Sequence, residues 1–470
     1  MKWALIHLGN DIVYGMTFFA NELIKEGHTI YWFDGDNDII NDIINYTPDF
    51  VCFGPLSAEY SKALNIAKQI KHKNSNIKTV FGGHHVKAVP QELEIQNCID
   101  YMIVGTCYNI INKIINSSSP CLINGEPANP EIMCPALEDY FIQIPRIGKR
   151  SRTYILSHFG CVHNCSYCCT DIYRKKYGIK AYKSSWLTRR PIDNLIKEAK
   201  LSKNYGAKEI GINDDDFLYD TQPNGKGSIW IKNFATEWKK YINLSTHINV
   251  SPLSVIRAEK STMKIIANLV DSVQMGLQSI NEGSRRIFNR YYQNEELMIK
   301  ACEILTSYGL KIKMDIIVGC PNINNLVPDP INDAINSIEF CQKLNNKFPN
   351  MLRIQCFRLI LFPGTKLFND CIKHNIPTRE AWNKLLYNGE GSVIFNDSIE
   401  NKLKNITKMA GMFVKFAITK DWMEALIETN LNDIASKKLS ECSYKDSVRF
   451  RLDITNEEIN NLVSNMNFQY

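Results

Sequence analysis

Three cysteines have the spacing of a metal-binding loop. Cys161, Cys165 and Cys168 lie in the stretch FGCVHNCSYCC, with the pattern Cys-x3-Cys-x2-Cys. A loop this short can wrap one iron–sulfur cluster, in which three thiolates bind three irons of a [4Fe–4S] unit and leave the fourth iron open. An open coordination position distinguishes a reactive metal site from a closed structural one. The spacing therefore predicts a cluster that accepts a further ligand.

A zinc site is the alternative for the same loop. Structural zinc requires four ligands, and Cys169 or His163 would have to supply the fourth one. The loop directly follows the apolar segment RTYILSH, which has the pattern of a β-strand. A reactive loop at the carboxyl end of a barrel strand favours the cluster.

The elements before this loop predict an α/β domain over residues 1–125. Short apolar strands alternate with amphipathic helices, which indicates a doubly wound, Rossmann-like parallel sheet covered on both faces. Ligands of such sheets lie in the crevice beyond the carboxyl ends of the strands. The predicted strands are KWALIHLG, TIYWFDGD, FVCFGPLS, KTVFGGHH and, as the last one, YMIVGTC.

A second alternating series follows a Pro-, Ser- and Gly-rich segment that we interpret as a linker, residues 126–150. Six strand–helix units over residues 151–375 predict a partial (β/α)6 barrel of the TIM type, with its chemistry at the strand carboxyl ends. Residues 376–470 are mostly amphipathic helix and predict a cap on the barrel or a substrate-contacting region. The predicted barrel strands are RTYILSH, KEIGIND, HINVSPL, SVQMGLQS, KIKMDIIVG and LRIQCFRLI.

Composition excludes several classes of protein. The net charge of +6 over 470 residues is too dilute to indicate a nucleic-acid partner. No apolar stretch has the length of a membrane span, and the first residues lack the features of a signal peptide. We therefore predict a cytoplasmic protein without membrane contact. In that compartment its 15 cysteines indicate metal or redox chemistry rather than a disulfide framework.

The cysteine loop resembles the signature of the radical S-adenosylmethionine (SAM) superfamily, including the aromatic residue before the last cysteine, here Tyr167. The resemblance implies that SAM chelates the open iron through its amine and carboxylate groups. An electron from the cluster then cleaves SAM and releases a 5′-deoxyadenosyl radical.

Further motifs carry the same resemblance and imply SAM contacts. The stretch INDDDF looks like the acidic motif that binds the SAM amine, although a helix N-cap cluster is an alternative explanation of those aspartates. MGLQS has Gln-Ser where relatives have Glu-Ser, and Arg290 matches the residue that contacts the SAM carboxylate. VGCPN resembles a turn near the adenine. The implied SAM contacts are Tyr167, Asp214, Asp215, Ser251, Gln278, Ser279, Arg290, Cys320 and Pro321.

The amino-terminal domain resembles the cobalamin-binding (B12-binding) subfamily of these enzymes. The segment VFGGHHVKAVPQE looks like its Gly-Gly-x-His segment, and glycines let the backbone approach a bulky ligand closely. The chain has no Asp-x-His-x-x-Gly motif, so the resemblance implies no histidine ligand to cobalt. The implied cobalamin contacts are Gly9, Tyr14, Gly15, Pro55, Leu56, Ser57, Gly82, Gly83, His84, Gly105 and Thr106.

The resemblance implies a cobalamin-dependent methyltransferase that acts on an unactivated carbon of a small-molecule or peptide substrate. An electron donor such as flavodoxin or ferredoxin would reduce the cluster. Alternatives are a non-methylating radical SAM enzyme, an iron–sulfur sensor, and a first domain that binds no cobalamin. A tRNA methylthiotransferase would need three further cluster cysteines, and Cys52, Cys98, Cys107 and Cys121 lack the expected local sequence.

Overall fold

The computed structural model consists of two parallel six-stranded sheets joined in one chain. It describes residues 1–91, 96–117, 120–126, 129–176, 187, 189–223, 225–381 and 390–428. Helices cover the sheets, so both halves are α/β, as the sequence predicts.

The first sheet has the strand order β2-β1-β3-β4-β5-β6, with all strands parallel. Its strands are β1 Lys2–His7, β2 Thr29–Asp34, β3 Phe50–Phe53, β4 Lys78–Phe81, β5 Tyr101–Val104 and β6 Cys121–Asn124. The sequence analysis ended this sheet at Tyr101–Val104, and the structure adds β6 beyond it. The α-helices of this half are Tyr14–Lys25, Ile40–Tyr46, Tyr60–Lys73, Gly83–Ala88 and Ile111–Ile115.

The two faces of the first sheet bury separate apolar cores. Trp3 and Leu5 of β1 pack into one core, whereas Ala4 and Ile6 pack into the other. Successive side chains of a strand point to opposite faces, so a continuous apolar run fills both cores. This doubly wound arrangement leaves the strand ends free to bind a ligand.

The segment interpreted as a linker packs against the first sheet. Its helices Glu138–Gln143 and Pro145–Gly148 lie beside β2. Tyr140 is completely buried in the same core as Trp3, and the Trp32 backbone N–H donates to Gln143 Oε1 over 2.7 Å. The segment therefore closes the β2 edge of the sheet.

The second sheet has the strand order β12-β11-β10-β9-β8-β7, in which every strand pairs in parallel with the next one along the chain. Within the described residues β7 and β12 do not pair, so the sheet is the open, partial barrel that the sequence predicts. Its strands are β7 Arg152–Ile155, β8 Glu209–Ile212, β9 His247–Val250, β10 Ser272–Gln278, β11 Lys311–Val318 and β12 Leu352–Arg358.

Alternation along the barrel strands separates an apolar outer face from a polar lumen. In β10, Val273, Met275 and Leu277 belong to the core under the helices. Gln274 and Gln278 point to the opposite side, because the side-chain period of a strand is two. The barrel therefore offers polar groups to its interior.

The outer layer of the barrel includes the carboxyl-terminal helix. Asp397–Lys415 packs against β12 and the helix Pro330–Lys347, and its Leu403 and Phe413 are completely buried in the barrel core. This helix packs on the outer face of the sheet, and its Glu400 pairs with Arg358 at the carboxyl end of β12. The predicted cap region also includes residues 382–389 and 429–470, which lie outside the described residues. The helices of this half are Thr170–Lys176, Ile192–Asn204, Lys226–Tyr241, Pro252–Arg257, Lys260–Leu269, Glu282–Ile287, Glu295–Ser307, Pro330–Lys347, Lys366–Lys373, Asp397–Lys415 and Lys420–Glu428.

The two halves meet through buried contacts near β7. The ring of Phe159, in the cysteine loop, packs edge-on against Phe18 with centroids 5.9 Å apart. The Tyr14 hydroxyl lies within hydrogen-bond distance of two acceptors, the Tyr154 carbonyl and the Glu198 carboxylate, and shares its one hydrogen between them. A hydroxyl, a carboxylate and strand backbone thus bind the halves together. No described helix is long and apolar enough to cross a membrane.

These contacts turn the carboxyl ends of the two sheets toward each other. Helix Gly83–Ala88, which follows β4, contacts helix Thr170–Lys176, which follows the cysteine loop. A Cβ on Gly364 would lie 2.9 Å from the Ala88 carbonyl oxygen, so the loop after β12 also lies against the first half. The crevices predicted for the two sheets consequently face each other.

Candidate functional site

The cysteine loop is fastened to its neighbours by hydrogen bonds on both sides of Ser166. The Ser166 N–H donates to Phe288 O over 3.1 Å, and its hydroxyl donates to Ile287 O over 2.6 Å. The Leu367 N–H donates to Ser166 O over 2.8 Å. The loop between Cys165 and Cys168 therefore has a fixed path at the barrel mouth.

Arg290 lies under this loop with most of its donors engaged. Its Nη1 lies 3.4 Å from Cys165 Sγ and 3.4 Å from the Tyr167 hydroxyl. Its Nε donates to Gln293 Oε1 over 2.6 Å, and its Nη2 donates to Gly276 O over 3.3 Å. The guanidinium is 8% exposed, and the tyrosine, thiol and hydrogen-bonded acceptors around it outweigh burial and raise its pKa. Arg290 is therefore a fixed cation beside a cysteine thiol.

The thiols themselves lie in a poorly solvated and acidic setting. Burial raises the pKa of Cys168 to about 11, with a further contribution from Asp215. The same two causes raise the pKa of Cys161. A thiol must lose its proton to bind metal, so the cysteines need a strongly attracting cation such as cluster iron.

The two residues that could supply a fourth zinc ligand at this loop, Cys169 and His163, have other neighbours. Cys169 packs with Ile172 and Leu187, and His163 accepts from or donates to the Tyr292 hydroxyl at 2.9 Å. Three separated thiols on one loop match the ligand set of a multi-iron cluster better than that of a single ion.

Asp214 is already occupied by the chain's own groups. One carboxylate oxygen accepts the Ser157 N–H over 2.7 Å, and the other lies 2.8 Å from His158 Nδ1 and also accepts the Ser157 hydroxyl. Burial would raise the pKa of Asp214, but the contacts with His158 and Ser157 outweigh burial and hold it below its usual value. Asp214 therefore joins the end of β7 to the end of β8 and leaves no carboxylate oxygen for a ligand.

Asp215 is the aspartate of this motif that retains access to solvent. Its only hydrogen bond that we find in the described structure is a long one from the Thr170 hydroxyl, 3.3 Å. Its side chain reaches solvent, but the protein atoms crowded around the carboxylate reduce its solvation and, with the charges of Asp214 and Asp216, raise its pKa. Asp215 also acts on the Cys161 and Cys168 thiols, so it lies on the cysteine side of the barrel mouth. It is the carboxylate best placed to bind an ammonium group.

Asp216 and Ser251 have structural partners. Asp216 Oδ1 accepts from the Ser251 N–H over 3.2 Å and from the Ser254 hydroxyl over 2.7 Å. Ser251 is the N-cap of helix Pro252–Arg257, and its hydroxyl accepts the Ser254 N–H over 3.1 Å. The Ser251 side chain therefore orders the loop after β9.

Inside the barrel, Gln278 Oε1 and Asp315 Oδ1 are buried acceptors without a hydrogen-bond partner among the described residues. Asp315 pairs in register with Gly276, and the Gln278 side chain folds back over Gly276, whose Cβ would lie 2.1 Å from Gln278 Nε2. Gln274 Nε2 donates to the other Asp315 oxygen over 2.8 Å. Buried acceptors without donors cost free energy, so this pair fits a ligand that brings hydroxyl or amine hydrogens.

Gln278 also has a backbone conformation that L-residues adopt rarely, with φ at 64°. Such strain concentrates at functional sites. Gln278 was predicted from the sequence, whereas Asp315 was not. The feature that could have identified Asp315 is that it is a single acidic residue inside the strand KIKMDIIV. Burial raises the pKa of Asp315 to about 7.

The remaining residues assigned to SAM turn toward the protein interior. The Ser279 hydroxyl donates to Asp333 Oδ1 over 3.2 Å, in a network with Ser284. Cys320 is fully buried in an apolar cluster with Phe288 and Leu361. Pro321 is buried beside it, so this segment can offer a ligand only its backbone.

The facing edge of the first sheet is built from glycines. Gly35, Gly54, Gly82, Gly105 and Gly125 each follow the last residue of a strand directly. Neighbouring atoms fill the space at several of them, because a Cβ on Gly54 would meet the Met16 side chain at 2.7 Å and one on Gly125 would meet Thr106 O at 1.9 Å. These glycines bring the loops close to the sheet edge.

Some predicted cobalamin contacts serve the protein itself. The Tyr14 hydroxyl is used in the joint between the halves, and Ser57 Oγ lies 3.0 Å from His85 Nδ1. The Thr106 hydroxyl donates to Glu126 O over 2.6 Å. The Gly9 carbonyl accepts from Arg146 over 2.8 Å. Pro55 is buried.

Other predicted cobalamin contacts border open space. A Cβ on Gly15 would meet no atom within 4 Å, and one on Gly82 would approach only Ile103, at 3.9 Å. Leu56 is 49% exposed and the His84 side chain is exposed. Gly83 has φ at 85° and a Cβ there would lie 2.8 Å from Gly54 C, so the turn itself requires glycine. Gly105 has φ at 114°.

Family models match both halves. The model for the radical SAM superfamily matches residues 155–326, which include the cysteine loop, Asp215, Gln278 and Arg290. Residues 155–326 are therefore a radical SAM domain. The model of the B12-binding domain matches residues 13–112, so a B12-binding domain precedes the radical SAM domain in this chain.

Curated relatives of this radical SAM chain are distant. It is 25% identical to the ribosomal protein uS12 methylthiotransferase RimO of Dictyoglomus thermophilum, over 68% of this chain and 69% of the relative. It is 22% identical to an uncharacterized methyltransferase of Pyrococcus horikoshii, over 79% of this chain and 80% of the relative.

Solved structures share the fold. The radical SAM methyltransferase TsrM of Kitasatospora setae, solved with cobalamin and a [4Fe–4S] cluster, matches with a TM-score of 0.62 and 14% identity, over 81% of this chain and 79% of that one. The cobalamin-dependent radical SAM enzyme OxsB, solved with aqua-cobalamin, matches with a TM-score of 0.64 and 12% identity, over 99% of this chain and 78% of that one. Both matches show that the fold is shared over most of this chain.

Proposed function

We propose that this chain is a cobalamin-dependent radical SAM methyltransferase, which acts on an unactivated carbon of a small-molecule or peptide substrate. One observation carries the proposal: a three-cysteine loop beside Arg290 lies at a barrel mouth that faces the carboxyl edge of a B12-binding domain. The fold shared with TsrM and OxsB supports it, because TsrM was solved with cobalamin and a [4Fe–4S] cluster and OxsB with aqua-cobalamin.

The donor set at the barrel mouth fits a [4Fe–4S] cluster and SAM. Cys161, Cys165 and Cys168 would ligate three irons. Asp215 would bind the SAM ammonium group, since it is the accessible carboxylate near the cysteines. Arg290 would contact the SAM carboxylate with the N–H that its protein partners leave.

The unpaired acceptors Gln278 Oε1 and Asp315 Oδ1 would accept the two ribose hydroxyls of SAM. A vicinal diol brings two donors at one place, which matches two neighbouring acceptors that lack a hydrogen. Tyr167 would help to hold Arg290 in place from the cysteine loop. Cys320 and Pro321 would contact SAM only through their backbone. Asp214, Ser251 and Ser279 would hold the strand ends in place.

The open edge of the first sheet fits a large, flat cofactor. Gly15, Gly82, Leu56 and His84 border the space where cobalamin would lie. When bound, the cluster and SAM supply a radical that abstracts a hydrogen atom, and cobalamin supplies the methyl group. The chain's own contribution is to hold both cofactors and the substrate between two facing edges, because proximity lowers the entropic part of the barrier.

The proposal also requires a substrate and a reductant. Polar side chains line the barrel, so we expect a substrate that carries hydrogen-bonding groups near the reacting carbon. A flavodoxin or a ferredoxin is the proposed electron donor.

Anaerobic reconstitution with iron, sulfide and cobalamin tests the function. We expect a bound-cobalamin spectrum, and 5′-deoxyadenosine when SAM and a low-potential reductant are added. Methyl-labelled SAM with candidate substrates should give a labelled product. Cobalamin binding with 5′-deoxyadenosine but no labelled product from accepted substrates would instead identify a non-methylating radical enzyme. A cluster that does not respond to SAM would indicate an iron–sulfur sensor.

Methylthio transfer is the second candidate, and the similarity to methylthiotransferases carries it. Against it, Cys52 and Cys98 are buried in opposite cores of the first sheet, so these two cysteines do not lie at one cluster site. Iron analysis separates the candidates. Four irons per chain agree with methyl transfer, whereas about eight would agree with methylthio transfer.

A further inference from the structure

Arg290 is held against Cys165 by contacts that do not involve SAM. Gln293 fixes its Nε, the Gly276 carbonyl fixes its Nη2, and Nη1 points to Cys165 Sγ at 3.4 Å. Gln293 is itself fully buried and donates to the Gly276 carbonyl over 2.5 Å. The protein therefore orients this guanidinium toward a thiol, whether or not a carboxylate is present.

A buried cation that donates to a sulfur ligand has a defined effect on an iron–sulfur cluster. Reduction adds one electron and makes the cluster and its thiolates more negative. Net charge, burial and hydrogen bonds to the sulfurs set the reduction potential of such clusters. A neighbouring N–H donor with positive charge stabilises the reduced form more than the oxidised form, because its interaction grows with the negative charge.

We propose that Arg290 sets the reduction potential of the cluster through Cys165, as a function separate from SAM binding. The inference rests on the proposed [4Fe–4S] cluster at Cys161, Cys165 and Cys168. Gln293 is then a positioning residue that acts through Arg290, since it touches the guanidinium and not the cysteines. Arg290 raises the potential, so that a biological one-electron donor can deliver the electron.

Arg286 provides a matched control for Arg290, because it lies nearby in the sequence but on the protein surface. Arg286 pairs with Glu282 on the helix surface, and its side chain is 60% exposed. An exposed ion pair contributes little and is screened by water and salt. Substitution of Arg286 should therefore leave the cluster unaffected.

The test is EPR-monitored redox potentiometry of reconstituted protein without SAM and without cobalamin. The variants are Arg290→Gln, Arg290→Lys, Gln293→Leu and the control Arg286→Gln. We expect Arg290→Gln to make reduction at least tenfold less favourable, which is a midpoint about 59 mV lower for one electron. Arg290→Lys keeps the charge but loses the planar fork, so its midpoint should lie between those of Arg290→Gln and the wild type.

Gln293→Leu should lower the midpoint by less than Arg290→Gln, and Arg286→Gln should change the reduction equilibrium less than threefold. If Arg290→Gln keeps an intact cluster and its reduction equilibrium constant is within threefold of the wild-type value, the inference is overturned. If Arg290→Gln assembles no cluster, Gln293→Leu becomes the deciding variant. A reduction equilibrium constant within threefold of the wild-type value then overturns the inference. Wild-type protein that assembles no [4Fe–4S] cluster would refute the proposed function, whereas a cluster insensitive to Arg290 refutes only this role.

Discussion

The two sheet edges that face each other are built in different ways. At the barrel mouth, buried side chains bind one another: Asp214 holds Ser157 and His158, and Arg290 holds Cys165. At the edge of the first sheet, glycines shape the backbone and several side chains border open space. One edge is specified by polar networks and the other by the absence of side chains.

The difference follows from the ligands proposed for each edge. A cluster and SAM bring charge and hydrogen-bonding groups, which a protein must meet with oriented charges. A large flat macrocycle needs surface area and close backbone approach, which glycine provides. Substitutions should therefore have large, specific effects at the barrel mouth and smaller, size-dependent effects at the other edge.

Loss of a cluster ligand gives the largest expected effect. Cys165→Ala should abolish the brown iron–sulfur absorbance and 5′-deoxyadenosine formation, because two thiolates do not hold the cluster. The fold should persist, since the change removes one sulfur from a loop. Iron and sulfide analysis with circular dichroism measures both. Cys302→Ala, in the barrel core, is the control that keeps the cluster. SAM cleavage by Cys165→Ala would refute the assignment.

The network at Asp214 predicts the next largest effect. Asp214→Asn places an amide against the Ser157 and His158 donors and should destabilise the fold by roughly 3 kcal/mol near pH 7. The carboxylate has a lowered pKa in the folded chain, so its stabilisation is present above about pH 4 and is lost as the pH falls further. Chemical denaturation at pH 7 and pH 3 measures this. An equal difference between variant and wild type at both pH values would contradict the role.

Asp315 predicts a pH dependence of opposite sign. Its folded pKa is raised to about 7, so the folded chain binds the proton more tightly and the group lowers stability as the pH rises from about 4 to 7. Asp315→Asn keeps an acceptor for Gln274 and should stabilise the protein by roughly 2 kcal/mol at pH 8, but hardly at pH 4. Thermal unfolding at both pH values tests it.

A second substitution at Asp315 tests the ribose contact. Asp315→Ala removes the acceptor and should weaken SAM binding about tenfold, which corresponds to one hydrogen bond of about 1.4 kcal/mol. Equilibrium binding to the reconstituted cluster measures the affinity. Asp329→Ala, an exposed helix cap away from the lumen, is the control. Unchanged SAM affinity in Asp315→Ala would remove this residue from the site.

The glycine edge predicts the smallest effect. Gly15 borders open space, so Gly15→Leu should leave the thermal stability of the apoprotein almost unchanged and weaken cobalamin binding several-fold by filling that space. Gly15→Ala is the matched control, because it adds only one methyl group and improves helix propensity. Cobalamin titration followed by absorbance distinguishes them. Equal affinity for both variants would place the cofactor elsewhere.

The barrel strands and the cysteine loop could be predicted because their signals are local. The six strands of the second sheet occur where apolar runs predict them. Helices alternate with these parallel strands along the chain, which fixes the α/β class. The strand Cys121–Asn124 was missed because it is short and lies within a Pro- and Ser-rich segment. The segment Asp397–Lys415 was predicted to be a helix, but its periodicity did not show which part of the barrel it packs against.

Local sequence was enough to predict a three-cysteine loop after a β-strand and an amino-terminal domain whose strands end in glycines. The packing of the folded chain, by contrast, sets which acidic and amide groups remain available. Asp214 and Asp215 are adjacent in sequence, yet one is consumed by Ser157 and His158 and the other remains accessible. Asp315 lies opposite Gly276 in the paired strands β10 and β11, and the Gln278 side chain folds back over the same glycine. Hydrogen-bond partners come from distant segments, so local sequence cannot show which polar groups are already satisfied.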